Sequence, residues 1–279
     1  MGKCQFCGKD AGFFRSAHKE CKQAYEEGSA RILEIASKAA LTQSYLPALQ
    51  ETINNVASTS CINAQSLMKL LARAWETAVS LALEDGVLSE DEERSLVAFK
   101  DHFSLPTHVL DKNGAYTRVA KAAIIRGVLN GNIPPRVKVE GTLPFNFQKG
   151  ESLVWLFQNV QYYEPRTRTV YSGGYSGVSI RIAKGVYYRV GGFRGNSVVT
   201  TQTVLIDKGS LGITNKHIYF AGNTKSFRVR YDKIVSFIPY SDGIAIQRDA
   251  SSAKPQIFVT GDGWFTYNLV MNLARLMAA

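Results

Sequence analysis

The pattern of hydrophobic and polar residues divides the chain into a helical first half and a β-rich second half. From about Glu20 to Asn130, apolar residues recur at the three- and four-residue intervals of amphipathic helices. After the adjacent Pro134 and Pro135, the pattern changes to short alternating runs of β-branched and aromatic residues. Adjacent prolines end a helical region because each lacks an amide donor and clashes with the preceding turn. The sequence therefore predicts a multidomain α + β protein.

The helical half contains clear start and stop signals. Gly86 is expected to end a helix in the left-handed conformation. Ser89 and Glu92 predict a capping box at the start of the next helix, whose acidic first turn suits the helix dipole. The helices predicted before Gly86 span 24–43, 45–58 and 62–85. In the last of them one buried stripe is predicted, formed by Leu67, Leu70, Leu71, Ala74, Ala78 and Leu81.

Three of the four cysteines lie in the first 21 residues, together with a histidine. Cys4 and Cys7 form a Cys-x2-Cys pair, and after ten residues His18 and Cys21 form a His-x2-Cys pair. Two such pairs are the spacing of a tetrahedral zinc site, and four protein ligands leave no open position for catalysis. The sequence predicts a structural Zn²⁺. The alternative is a redox or disulfide cluster, which a cytosolic chain without an export signal does not favour.

The residues around these ligands suit a small zinc finger over residues 1–26. Gly8 can adopt the left-handed turn that follows the second cysteine of a zinc knuckle. Ser16 is predicted to be the N-cap of the helix that carries His18 and Cys21. A knuckle followed by a helix N-terminus resembles a treble-clef-like finger. Cys61 is expected to be an ordinary buried thiol. The predicted small core consists of Phe6, Phe13 and Phe14.

The segment ALEDGVLSEDEERSLVAF, within residues 81–99, resembles the signature of TerB-like helical domains, which are named after a tellurite-resistance protein. KAAIIRGVLNGNIPP resembles the second half of such a domain, although Asn130-Gly131 replaces the acidic pair. The resemblance implies an all-α TerB-like domain over 27–137, of a kind found in bacterial stress and phage-conflict systems. It also implies that Asp85 and Glu92 could hold an ion, whereas capping and helix-dipole effects explain the same acids without one.

The second half predicts about seven short strands followed by one amphipathic helix. This order resembles bacterial PH-like and GRAM-like domains, in which a bent antiparallel barrel is closed by a C-terminal helix. The resemblance covers about 138–279 and is best carried by Gly212–Thr214, Ile218–Phe220 and Tyr231–Ile234. PH-like domains bind phosphoinositides, peptides or no known ligand, so the resemblance assigns no lipid site. The expected final helix can bury Phe265, Leu269, Met271, Leu273 and Leu276.

The basic charge lies mostly in this second half. The net charge is +10, and residues 139–279 carry 16 Lys and Arg against eight Asp and Glu. The excess predicts an anionic partner or a solubilising surface. A basic, aromatic and glycine-rich hairpin over 164–197 can insert its rings at a membrane interface or stack on unpaired bases. The predicted anion-binding residues are Arg166, Arg168, Arg181, Lys184, Arg189 and Arg194 in that hairpin, and Lys225, Arg228 and Arg230 in a later strand.

No catalytic constellation is found in the sequence. GYSGV lacks the second glycine of a nucleophile elbow, and GNTKS lacks the core of a phosphate loop. His102, His108 and His217 each stand alone in the sequence and are expected to be structural. No apolar run is long enough to span a membrane. A cytoplasmic protein is expected, with any membrane contact peripheral, at the inner membrane face.

These features predict a non-enzymatic adaptor or scaffold. It is expected to bind a protein partner and an anionic surface, either a membrane leaflet or a protein, in a bacterial stress or phage-defence system. The alternative prediction is a nucleic-acid-binding protein that uses the zinc finger and the basic aromatic hairpin.

Overall fold

The structure is a computed structural model in which the chain forms two compact units, Met1–Asn132 and Ile133–Ala279. Side chains within 168–200 and at residue 278 are not described. The backbone is described for residues 2–12, 15–42, 44–132, 142–183, 186–250 and 253–278. The predicted boundary between residues 137 and 138 lies outside these ranges.

The first unit combines a short hairpin with a bundle of helices. Helix α3 lies at its centre and packs against α1, α4, α5 and α6, while α1 also packs against α2. The hairpin consists of β1 (Gly2–Lys3) and β2 (Asp10–Gly12). The helices are α1 (Lys19–Ala39), α2 (Leu46–Thr59), α3 (Ala64–Ala82), α4 (Glu90–His102), α5 (Thr107–Leu110) and α6 (Ala115–Leu129).

The buried face of α3 is narrower at its end than the sequence predicts. Five residues of the predicted stripe are buried or half-buried, but Leu81 is 52% exposed, so that part of the prediction is wrong. The helix ends one residue later at Ala82, where no further turn can cover Leu81. Trp75 lies in the centre of the core, and its indole Nε1–H donates to the carbonyl oxygen of Leu96 at 2.9 Å. This hydrogen bond joins α3 to α4.

The loop between α3 and α4 contains the predicted capping box. The amide of Glu92 donates to Ser89 Oγ at 3.2 Å, and the amide of Ser89 donates to Glu92 Oε2 at 2.9 Å. Gly86 has the expected left-handed φ of 79°. The C-cap of α3, however, is Leu83, so Gly86 lies in the loop and does not directly follow the cap as predicted. The helix closes with bonds from Leu83, and the glycine turns the chain afterwards.

The second unit is an open, antiparallel sheet of seven strands with one long helix. The strand order is β6-β5-β4-β3-β9-β8-β7, so β6 and β7 are the edges of the described sheet. Helix α7 (Gly263–Ala278) packs against β7, β8 and the 3-10 turn η1 (Tyr231–Lys233). The strands are β3 (Leu153–Ala183), β4 (Val186–Thr214), β5 (His217–Gly222), β6 (Ser226–Arg230), β7 (Ile234–Pro239), β8 (Gly243–Arg248) and β9 (Gln256–Val259).

Strands β3 and β4 are continuous over 31 and 29 residues, whereas the sequence predicts several short strands there. The glycines that were expected to end strands lie opposite other strand residues, as in the pairs Gly173–Gly195 and Gly177–Gly191. Each strand satisfies the backbone groups of the other, so the pairing continues through the glycine-rich segments. Strand β9 pairs with β3 only at Gln161–Tyr163. Most of the hairpin therefore extends beyond the rest of the described sheet.

An aromatic cluster forms the core of the second unit. The ring centroid of Tyr162 lies 5.1, 5.2 and 5.3 Å from those of Phe220, Phe227 and Phe258. Helix α7 buries Phe265, Leu269 and Leu273 completely, as the sequence predicts.

None of the described helices combines the length and the apolar character that a membrane span requires.

Candidate metal centre

The four predicted ligands converge at the N-terminal hairpin. The Sγ atoms of Cys4, Cys7 and Cys21 and a ring nitrogen of His18 all lie within 4.8 Å of one another. Nδ1 of His18 lies 3.4 Å from Cys7 Sγ and 3.6 Å from Cys21 Sγ. With Zn–S and Zn–N bonds of about 2.3 and 2.0 Å, a tetrahedron has S···N edges of about 3.5 Å. The four side chains are close enough to hold a metal ion, and the donor set is consistent with zinc.

The backbone of the hairpin holds the cysteine pair in place. The amide of Gly8 donates to the carbonyl of Cys4 at 2.8 Å, and the amide of Cys4 donates to Lys9 O at 2.7 Å. Gly8 has a φ of 73°, the left-handed conformation expected of a zinc knuckle. Cys4 is 2% exposed and its sulfur also accepts from the amide of His18 at 3.5 Å. The loop therefore fixes the first ligand pair against the second.

Helix α1 carries the second ligand pair, but its start differs from the prediction. Its N-cap is His18, not Ser16, and the helix begins at Lys19. His18 has an extended backbone and no side-chain cap, because its ring is directed to the cysteines and to Asp10. The helix then runs without a break through residues 26 and 27, where the sequence analysis separates the finger from the helical domain.

The predicted small core is only partly within the described residues. The ring of Phe6 packs on Tyr25 of α1, with ring centroids 4.8 Å apart. Tyr25 also packs against the core of the helical bundle. Phe13 and Phe14 lie outside the described residues. Cys61 is half-buried, in a left-handed backbone conformation, and does not belong to the cluster.

The pKa values of the cluster side chains favour the binding of a cation. Burial raises the pKa of the Cys4 thiol, but backbone amides of Cys7, His18 and Phe6 outweigh burial and lower that pKa to about 6. Burial and the neighbouring sulfurs of Cys7 and Cys4 raise the pKa of Cys21 to about 11. Hydrogen bonding to the carbonyl of Asp10 raises the pKa of His18. Crowded sulfurs resist a second negative charge, and a divalent ion removes this repulsion because metals bind thiolates.

The acidic loop does not form a second metal centre in the described part of the chain. Asp85 Oδ1 accepts from the amide of Val87 at 2.9 Å, and Glu92 Oε2 accepts from the amide and hydroxyl of Ser89 at 2.9 and 2.6 Å. The Cys/His cluster is the one group of at least three converging metal ligands among the described residues. Capping therefore accounts for both acids.

The predicted anion-binding residues are described only in part. Arg166 is exposed on β3. The side chains of Arg168, Arg181, Arg189 and Arg194 are not described, although their backbones lie in the long hairpin, and Lys184 lies outside the described residues. Arg228 and Arg230 are exposed on β6, while Val229 between them is 3% exposed. Lys225 is also exposed, but it lies in the turn before β6 and not in the strand, where the sequence predicted it.

The turn between β5 and β6 is already occupied by a carboxylate. Asp207 Oδ2 accepts from the amides of Thr224 and Lys225 at 2.7 and 2.8 Å, and Oδ1 accepts from Asn223 at 3.3 Å. The Thr224 amide contributes most to holding the pKa of Asp207 far below its usual range, and the Lys225 and Lys208 amides add to it, while burial opposes them. The backbone donors of GNTKS therefore bind an internal anion and not a ligand.

Sequence reasoning missed a buried polar cluster in the second unit. Glu151, whose side chain is fully buried, lies 2.5 Å from His217 Nδ1 and accepts from Tyr219 OH at 2.6 Å and Thr214 Oγ1 at 3.0 Å. His217 therefore does not stand alone in the fold. Glu151 and His217 are 66 residues apart in the chain, and no spacing motif joins them. Their burial and reciprocal bonds indicate a structural role.

No protein-family model matches this chain, and the comparisons with curated proteins and with solved structures gave no match either.

Proposed function

We propose that this chain is a non-enzymatic adaptor that binds a protein partner through its first unit and an anionic surface through its second. The observation that carries the proposal is a group of exposed cations, with Arg228 and Arg230 on the edge strand β6 and Lys225 in the turn before it, whose own donors are satisfied by Asp207. The second half also carries most of the net charge, with 16 basic against eight acidic residues over 139–279.

In this proposal the N-terminal cluster binds a structural Zn²⁺. Three sulfurs and one imidazole suit zinc better than the oxygen-preferring Mg²⁺ or Ca²⁺. Four protein ligands close the coordination shell, which supports a structural role over a catalytic one. The zinc would hold the hairpin β1–β2 against the start of α1, which reaches on into the helical bundle.

The helical bundle is proposed to be the TerB-like domain and the site of protein binding. Its support is the capped acidic start of α4 after the Asp85-Gly86 loop, the segment that carries the resemblance. Several large apolar side chains of this unit are also exposed and could contribute apolar contacts to a partner. They are Tyr45, Met68, Leu81, Val87, Val97 and Leu129.

The second unit is proposed to be the PH-like domain. Its first four strands form a meander, β3 to β6, and its last three form another, β7 to β9, with β3 paired to β9 between them. A helix follows directly and packs against β7 and β8. Antiparallel meanders in this order closed by a helix support the resemblance drawn from the sequence.

Vesicle co-sedimentation of the full-length chain tests the anionic docking. We expect binding to vesicles that contain phosphatidylserine and little binding to pure phosphatidylcholine vesicles, because each basic residue near an anionic surface adds about 1 kcal/mol. The triple variant K225A/R228A/R230A is expected to lose most of this binding. A matched triple variant, K69A/R73A/K112A, removes three exposed cations from the helical unit and is expected to bind as the natural chain does.

Equal binding to both kinds of vesicle would contradict the membrane version of the proposal. A gel-shift series over salt tests the nucleic-acid alternative, since a true phosphate footprint weakens steeply as salt rises. We expect no shift at low salt. A salt-dependent shift that the variant K225A/R228A/R230A abolishes would overturn the adaptor proposal in favour of nucleic-acid binding.

A further inference from the structure

A large cleft in the second unit lies between α7 and the segment that joins β6 to β7. Its volume is about 1140 Å³. Pockets for small ligands have about 300–1,000 Å³, so this cleft has room for an extended ligand. Six cations line it, against Asp232 as the one acid among its lining residues. The cations are Lys216, Arg228, Arg230, Lys233, Arg248 and Arg275.

Most of this positive charge is not neutralised within the described part of the unit. Asp232 Oδ2 accepts from Arg230 at 2.9 Å. Lys233, Arg248 and Arg275 are exposed and form no salt bridge among the described residues. Three cations that surround one concave surface repel one another and favour an anionic ligand. The cleft therefore selects for negative charge.

Part of the lining of the cleft is apolar. Its apolar lining residues come from β6, from β7 and from the last two turns of α7. A bare inorganic anion gains nothing from such a surface, whereas a ligand with both apolar and acidic groups buries the first and pairs the second. These residues are Val229, Ile234, Phe237, Met271, Ala274 and Met277.

Strand β7 beside the cleft offers a free backbone edge. It pairs with β8 on one side and is the last strand of the described sheet on the other. Val235 and Ile238 on the same strand are 61% and 47% exposed. The edge is regular over only part of its length, because β7 has a bulge between Ile234 and Ser236 and ends at Pro239, which has no amide donor. The unpaired amides and carbonyls that remain can bind another strand. A peptide that adds to an edge gains main-chain hydrogen bonds there and side-chain specificity from adjacent pockets.

We propose that this cleft binds an acidic peptide segment of a partner protein, which adds as a strand to the free edge of β7. The proposal rests on the anion-binding role given above to this unit, and it names the ligand. The regular part of β7, Ser236–Ile238, can pair with a segment of about 10 Å, at about 3.3 Å per residue. Alternate side chains of that segment would face the apolar lining, and its acids would meet Lys233, Arg248 and Arg275.

An array of nine-residue peptides tests this proposal with the full-length chain. Each peptide has a fixed central glutamate and varied flanking positions, and the strongest binder is then measured in solution by fluorescence anisotropy. We expect the selected peptides to carry a further acid and apolar residues at alternate positions. N-methylation of alternate backbone amides in that peptide is expected to weaken binding at least tenfold in one of the two registers, because it blocks edge pairing.

Two matched triple variants identify the cleft. K233A/R248A/R275A is expected to weaken peptide binding at least tenfold, while K149A/K208A/K254A, which removes exposed cations of the same unit outside the cleft, is expected to change it less than twofold. Both variants should keep the thermal unfolding midpoint of the natural chain, since all six side chains are exposed. No selected peptide, or equal binding by both variants, would overturn the proposal.

Binding measurements with other anions would identify a different class of ligand. If pyrophosphate or phosphatidylserine vesicles bind the natural chain and K233A/R248A/R275A loses that binding while no peptide binds, the cleft is a phosphate or lipid site and the peptide proposal is wrong. If the natural chain binds no vesicles but binds a peptide that K233A/R248A/R275A loses, the proposed membrane docking is contradicted and the peptide proposal is supported.

Discussion

The ring Nε2 of His18 lies 2.8 Å from the main-chain oxygen of Asp10. A carbonyl oxygen only accepts hydrogen bonds, so Nε2 carries a proton. In the neutral ring, Nδ1 is then the nitrogen whose lone pair faces the sulfurs of Cys7 and Cys21. Histidine ligands of metals usually donate their second N–H in this way, which fixes the tautomer and the ring orientation. The contact with Asp10 therefore orients His18 with Nδ1 towards the cysteines.

Substitution of His18 is expected to separate ligand chemistry from folding. H18C keeps four ligands, all of them cysteines, so it should retain one zinc per chain against a mild chelator. H18A leaves three ligands and should weaken zinc binding by about 100-fold or more, beyond the 10- to 100-fold cost of losing a second-shell partner. The measurement is zinc retained in a titration with a coloured chelator. Equal retention by H18A and the natural chain would exclude His18 as a ligand.

Asp10 provides a control for the same contact. Its main-chain oxygen binds His18, while its side-chain Oδ1 accepts only from the amide of Gly12, at 2.9 Å, among its described hydrogen bonds. D10A removes the carboxylate and keeps the carbonyl, so the affinity for zinc is expected to fall by less than about threefold, well short of the cost of losing a second-shell partner. A loss as large as that of H18A would show that the carboxylate and not the carbonyl matters.

The cysteines of the cluster are expected to differ from the fourth cysteine in the chain. C4S should lose the metal and expose the hairpin β1–β2 to proteolysis, because metal-binding free energy is folding free energy in such small modules. C61S should keep both the metal and the protease resistance, since Cys61 is not in the cluster. Limited proteolysis followed by mass spectrometry of the N-terminal fragment measures the difference. Identical cleavage patterns for C4S and C61S would contradict a structural metal.

Helix α1 passes close to the end of α2, and this contact explains a glycine in the middle of α1. A Cβ atom added to Gly28 would overlap the side chain of Ser60. G28A is therefore expected to lower the free energy of unfolding by about 1–3 kcal/mol, the usual cost of overpacking, despite the better helix propensity of alanine. The double variant G28A/S60G removes the overlap and should recover part of the loss. Chemical denaturation measures both, and a stabilised G28A would contradict the close approach.

The buried Glu151 is expected to make the second unit sensitive to acid. Burial opposes its ionisation, but bonds from Tyr219, the Gln148 amide, His217 and Thr214 outweigh burial and lower its pKa. A carboxyl with a lowered folded pKa stabilises the fold above its unfolded pKa of about 4.3, and this contribution is lost as the pH falls through the lower folded value. The second unit should therefore lose stability below about pH 4.3.

The variant E151Q tests this directly. At pH 7 it is expected to lower the free energy of unfolding by about 1.5–3 kcal/mol, the range for hydrogen bonds to a charged group. The difference from the natural chain should shrink at acid pH, where Glu151 itself is protonated. D249N, which neutralises an exposed carboxyl of the same unit, should change little. A constant difference between E151Q and the natural chain from pH 7 to pH 3 would contradict this role of the charge.

Local sequence signals predicted the metal cluster and the capping box well. The cysteine and histidine spacing determines which side chains can meet, because a knuckle and a helix turn each bring two positions together within four residues. The pair Ser89 and Glu92 is likewise local. Ser16 failed as an N-cap because His18, already required by the cluster, starts the helix. The start of α1 is therefore determined by the metal ligand His18 and not by the capping preference of Ser16.

Features that depend on distant strands were not predictable from the sequence. Glu151 meets His217 only because the turn between β4 and β5 returns beside the start of β3. The long hairpin runs through its glycines because each strand supplies the hydrogen bonds of the other, which no window of a few residues can show. The cleft likewise combines β6, β7 and α7, three elements that are separate in the sequence.

The metal content of the purified natural chain, measured by inductively coupled plasma mass spectrometry after dialysis against metal-free buffer, is the most direct test of the central claim. Zinc held by three cysteines and one histidine should remain at about one ion per chain. A folded, reduced chain that retains no zinc after this treatment would contradict the claim that a metal ion organises the N-terminal hairpin.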